Sequence, residues 1–197
     1  MSPGRQASGS SSETPVGDPE ARARLICLRL LTAAPRTRTE LDQAMHREGV
    51  PDEAAEAILV RFTDVGLIDD AAFARAWVES RHYSRGLSRR SLSAELRRRG
   101  VDTEEIRAAV DALDPEQEAA TARRLAEQKM AGSRGQPPEV RARRTASMLA
   151  RKGYPPGLVF RLIREVMEQE SQGESVGFEL DPDQYLDPDP GLDEASG

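Results

Sequence analysis

Residues 69–113 read DDAAFARAWVESRHYSRGLSRRSLSAELRRRGVDTEEIRAAVDAL, and this stretch decides the fold. It divides into three segments of helix length. In the middle one, Ser88 suits an N-cap and Gly100 suits the left-handed residue that closes a helix. Leu92 and Leu96 stand four apart and so share a face. At about 100° per residue, Arg90, Arg97 and Arg98 fall on the far side around the small Ala94, while Arg89 and Arg99 flank the apolar stripe. The third segment opens on Asp102 with Glu105 at the capping-box position, and Val101 and Ile106 have hydrophobic-staple spacing. Ile106, Val110 and Leu113 then recur at helical spacing. The first segment carries Phe73, Trp77 and Val78 on one side, where they read as core, with Arg81 one turn beyond Trp77.

The flanking chain repeats this pattern. Gly49, Gly100 and Gly153 each close a basic helix and precede Val50, Val101 and Tyr154. Six residues after each glycine stand Ala55, Ile106 and Val159, and ten after stand Leu59, Val110 and Ile163. Asp18, Asp69 and Asp114 sit at the starts. The sequence therefore predicts an all-α protein built as an elongated, curved array of three tandem helix triplets, 18–68, 69–113 and 114–168. The third triplet carries an eight-residue insertion, placed at Ala131 to Pro138. Its last helix is expected to end near Met167.

Both ends differ in composition. Residues 1–17 are rich in serine, glycine and proline and lack apolar periodicity, so they are expected to be disordered. Residues 169–197 are acidic and punctuated by proline and glycine, and are expected to be disordered as well. From Glu168 onward there are ten acids and no Lys or Arg, within a chain of formal net charge −6. The helical body is therefore modestly basic. The tail reads either as a solubilising appendage or as a competitor with polyanions for the arginine face.

Several classes are excluded or disfavoured. Cys27 is the only cysteine, so neither a disulfide within the chain nor a cysteine zinc cluster is available. Within LICLRLL it reads as core. His46 and His82 are far apart, and no metal site or cofactor is expected. There is no phosphate-binding GxxxxGK[ST] loop, no GxSxG and no HExxH, and the acids fall on caps and exposed faces; no catalytic residue is expected. No apolar run approaches a membrane span, and a cytoplasmic protein is expected. What remains is the arginine face. It could track a nucleic-acid backbone with steep salt dependence, dock on an acidic protein surface, or simply be solvated.

The run from Leu67 to Asp102 resembles the RecX family of recombination regulators. The resemblance rests on the aspartate pair before Phe73–Ala74, then Trp77–Val78, Arg81, Gly86, Leu92, Glu95–Leu96 and Gly100–Val101. The first and third triplets match by pattern, and the acidic tail is a departure. The resemblance implies a crescent of stacked three-helix repeats that lies in the groove of the RecA–DNA filament. It also implies a non-enzymatic regulator that curbs the filament's ATPase, strand-exchange and co-protease activities in DNA repair and the SOS response. Arg81, Arg90, Arg97 and Arg98 become candidates for contact with the filament or its DNA, joined by Arg89, Arg143 and Arg144 from the basic faces. Binding to DNA alone is expected to be weak and salt-dependent, and neither a membrane nor a small-molecule substrate is expected. The alternative reading is a stand-alone helical DNA-binding protein.

Overall fold

The computed structural model describes residues 18–176, and within them every regular element is helical. The order is α1 Pro19–Ala33, α2 Arg38–Arg47, α3 Asp52–Asp64, α4 Asp70–Arg85, α5 Arg89–Arg98, α6 Thr103–Asp111, α7 Pro115–Ala131, α8 Pro138–Arg151 and α9 Pro156–Val176. Local chemistry fixes most of these ends. Asp18, Asp69 and Asp114 cap α1, α4 and α7 by accepting the amide hydrogens of Glu20, Ala72 and Glu116. Pro19 and Pro115 follow at first helical positions, where a missing donor is harmless. Thr37 and Glu40 close a reciprocal capping box on α2, and Ser88 caps α5. At α6 the Asp102 carboxylate takes the amide of Glu104 rather than that of Glu105.

Each triplet buries its own core. The first is built on Ile26, Leu41, Met45, Ile58, Leu59 and Phe62, and the second on Val78, Leu92, Leu96, Ile106 and Val110. The third is built on Ala126, Met130, Leu149, Val159 and Val166. Phe73 and Trp77 lie at the edge of the second core, half-buried rather than central.

The third triplet departs from the other two. Of its extra residues, four lengthen α8, three lengthen the loop before it and one extends α7. The final helix also overruns the expected end near Met167 and continues to Val176, across the first residues of the stretch read as tail. Arg141 supplies the reason: its Nη2 holds both Glu170 carboxylate oxygens at 2.7 Å and the Met130 carbonyl at 3.0 Å. A buried guanidinium thus anchors a turn that has no apolar period of its own. The expectations for residues 1–17 and for the tail beyond Val176 lie outside the described residues.

The triplets meet at two seams of similar construction. At the first, Thr37 Oγ1 donates to the Arg99 carbonyl at 2.7 Å and Thr39 Oγ1 to the Gly100 carbonyl at 3.0 Å. At the second, the Ser88 amide donates to the Lys152 carbonyl at 3.0 Å. In both, the carbonyl end of one second helix abuts the amide end of the preceding one, so the helix dipoles of α8, α5 and α2 run head to tail. A carboxylate of the following triplet caps the first free amide of the earlier helix. Asp70 takes the Arg38 amide at 2.9 Å, and Glu118 takes the Arg89 amide at 2.8 Å.

Candidate cationic interface

The head-to-tail series places the outer faces of α2, α5 and α8 in one succession. Two residues before the closing glycine of each triplet stand Arg47, Arg98 and Arg151, and all three are exposed. Ten before the glycine stand Arg90 and Arg143, also exposed, with Thr39 at that register in the first triplet. Arg97 and Arg144 add to the same faces and are exposed too. Among the described residues, none of these seven guanidiniums makes an ion pair or hydrogen bond. Unpaired arginines at matching registers form a ridge available to phosphates or carboxylates. Arg47 and Arg151 were absent from the sequence-based candidates. Counting back from the three glycines finds them.

Two of the candidates are engaged within the chain. Arg89 lies half-buried, its Nε donating to the Val110 carbonyl at 3.1 Å and its Nη2 pairing with Asp111 at 2.7 Å. It fastens α5 to the end of α6. Arg81 stacks over the Trp77 ring, its guanidinium carbon 4.1 Å from the ring centroid. Arg99 lies 3.9 Å from that same centroid and pairs with Glu40 of the first triplet at 2.7 Å. Glu95 accepts the Trp77 indole hydrogen at 2.9 Å, and Phe73 stacks on Trp77 at 5.6 Å. The single tryptophan is therefore the centre of a cation–π ladder that reaches across the first seam.

Carboxylates gather at the first seam as well. Asp69, Asp70, Asp102 and Glu105 line an open cleft at the first seam. Burial raises the carboxyl pKa of Glu105, with the nearby Asp70 and Asp102 adding to it. Burial also raises that of Asp70, against the opposing pull of Arg38. No group of His, Cys, Asp or Glu among the described residues is arranged to hold a metal ion. None of the described helices is long and apolar enough to cross a membrane.

Three family models match in tandem: the first RecX three-helix domain over residues 23–62, the second over 69–110 and the third over 116–163. The chain belongs to the RecX family. It is 57% identical to the Regulatory protein RecX of Thermobifida fusca over 175 residues, covering 89% of this chain and 93% of that one. Identity to the Streptomyces coelicolor Regulatory protein RecX is 49% over 178 residues, covering 87% and 95%. The crystal structure of a regulatory protein RecX superposes with a TM-score of 0.67 at 26% identity, covering 75% of this chain and 74% of that one. RecX from Lactobacillus salivarius shares the fold at a TM-score of 0.68 and 17% identity, covering 76% and 97%. The tandem triplets are thus the RecX domains, and the relatives are named as regulatory proteins.

Proposed function

We propose that this RecX-family chain is a non-enzymatic, cytoplasmic regulator of the RecA recombinase that lies in the groove of the RecA–DNA filament. There it bridges neighbouring recombinase subunits and opposes the cycle of filament growth and turnover. The observation that carries this reading is the ridge of exposed, unpaired arginines at matching registers of three helices placed in series. A groove walled by protein and phosphate together presents anions at intervals along a spiral, which an array of repeats can meet several times over. Arg90, Arg97, Arg98, Arg143 and Arg144 are the proposed contacts, with Arg47 and Arg151 added. Arg81 and Arg89 act instead as internal braces.

The test is a titration into preformed RecA–single-stranded DNA filament, followed by ATP hydrolysis. Hydrolysis should fall as the chain is added, and Arg90→Ala/Arg97→Ala/Arg98→Ala should require at least about tenfold more protein. No change at saturating wild-type protein rejects the reading. Binding to bare duplex and bare single strand, measured beside coated DNA, tests the stand-alone alternative: a sequence-dependent preference for bare DNA would favour it.

A further inference from the structure

The second seam carries a cleft on a different set of helices from the ridge. Its walls come from α4 and α6 of the second triplet and α7 of the third, and its volume is ≈ 460 Å³. Val78, Ala109 and Leu113 floor it, each under a tenth exposed. Arg75 and Arg124 stand on its rim, both exposed and, among the described residues, without an ion pair or hydrogen bond. Glu79 shares the rim, leaving a net positive charge. Tyr83, 87% exposed, stands beside it. An aliphatic floor, unpaired guanidiniums and a free aromatic are the composition of a protein-binding hot spot.

We propose that this cleft is a docking site for a partner protein, which inserts one apolar side chain flanked by carboxylates. The apolar group fills the space over Val78 and Leu113, the carboxylates meet Arg75 and Arg124, and Tyr83 packs over the inserted segment. The cleft volume suits a side chain together with its flanking peptide segment rather than a folded surface. The buried aliphatic floor of Val78, Ala109 and Leu113 matches an apolar side chain, which favours peptide over nucleic acid. His82 closes the base of the seam, with Nε2 3.0 Å from Thr121 Oγ1 and Nδ1 2.9 Å from the Leu87 carbonyl. Occupancy of the cleft therefore spans both triplets.

The experiment is fluorescence anisotropy with a fluorescein-labelled peptide carrying one phenylalanine between pairs of aspartates, titrated with the full chain. Saturable binding is expected, weakened at least about tenfold by Arg75→Glu/Arg124→Glu and by Ala112→Phe, which fills the cleft from its exposed rim. Tyr83→Ala, at a fully accessible position that leaves the core intact, should weaken it severalfold. Ridge variants such as Arg98→Glu should leave it unchanged, so failure here is separable from failure of the filament reading. Absence of saturable binding overturns the proposal. So does equal affinity for an aspartate-only peptide, or saturable binding of labelled oligo(dT) that Ala112→Phe abolishes.

Discussion

Replacing Gly100 by alanine tests the seam geometry, and Gly49 supplies a control within the same chain. Both glycines close a second helix in the left-handed region, Gly100 at φ 77° and Gly49 at φ 74°. Forcing an L-residue into that conformation costs about 1–2 kcal/mol at either site. Their surroundings differ. A Cβ on Gly49 would meet nothing within 4 Å, whereas a Cβ on Gly100 would lie 2.5 Å from Thr39 Cβ and Cγ2. Thr39 belongs to the preceding triplet, so relief requires opening the seam. Overpacking of that kind adds about 1–3 kcal/mol. Loss of the Thr39 hydrogen bond to the Gly100 carbonyl adds about 1 kcal/mol. Gly100→Ala should therefore destabilise by about 3–6 kcal/mol and Gly49→Ala by about 1–2 kcal/mol. Urea unfolding read by far-UV circular dichroism and by Trp77 fluorescence measures both. Thr39→Gly in the Gly100→Ala background should recover part of the loss, and the coupling between the two should exceed about 1 kcal/mol. Equal destabilisation by the two alanines, within about 0.5 kcal/mol, would refute the account of the seam.

Arg99→Ala removes both the stack on Trp77 and the pair with Glu40; Trp77 emission should shift, with a stability loss of about 1–2 kcal/mol by urea titration. Arg47→Glu/Arg98→Glu/Arg151→Glu should change stability by less than about 1 kcal/mol while weakening filament binding. Each alanine at these positions should reduce the slope of log affinity against log salt by about 1 if that arginine meets a phosphate. Cys27 is fully buried, and burial pushes its thiol up to about 11. Its folded pKa exceeds its unfolded value, so the linked stability is complete below the unfolded pKa and is lost as pH rises through about 11. Stability should decline between about pH 9 and 10 with a slope that Cys27→Ala reduces, the buried Tyr154 phenol, pushed up to about 12, supplying the remainder, as followed by urea midpoints. Thiol labelling of the native chain near pH 8 should track opening of the first triplet.

The triplet pattern was legible because its signals are local. A left-handed glycine, an N-cap hydroxyl and a period of 3.6 each act within a turn or two, so Gly100, Ser88 and Leu92–Leu96 announced α5 before any contact was known. The division of labour among neighbouring arginines was not legible. Arg89 and Arg90 are adjacent, yet one pairs with Asp111 and the other faces solvent. Arg99 finds Glu40 across 59 positions. The overrun of α9 had the same origin, since Glu170 is held by Arg141, 29 positions away in sequence. Long side chains reach partners that periodicity cannot see, so charge roles are the part of a helical repeat least readable from one sequence.

Among the described residues, the outer ends of α2 and α8 differ in chemistry from the two seams. The position before the closing glycine holds Glu48, Arg99 and Lys152 in turn. At the inner seams the carbonyls of Arg99 and Lys152 accept from Thr37 and from the Ser88 amide of the preceding triplet. The Glu48 carbonyl, by contrast, accepts from Arg22 within its own triplet, while the Glu48 carboxylate pairs with Arg29. At the other end, α8 starts on Pro137 and Pro138 with no side-chain cap, and Arg141 occupies the register that Thr37 and Ser88 hold. A further triplet docking there would find no hydroxyl and a proline in place of the amide donor used at the second seam. Among the described residues, the Glu48 carbonyl is thus engaged inside its own triplet, and the amide end of α8 lacks the hydroxyl and amide donors used at the two seams.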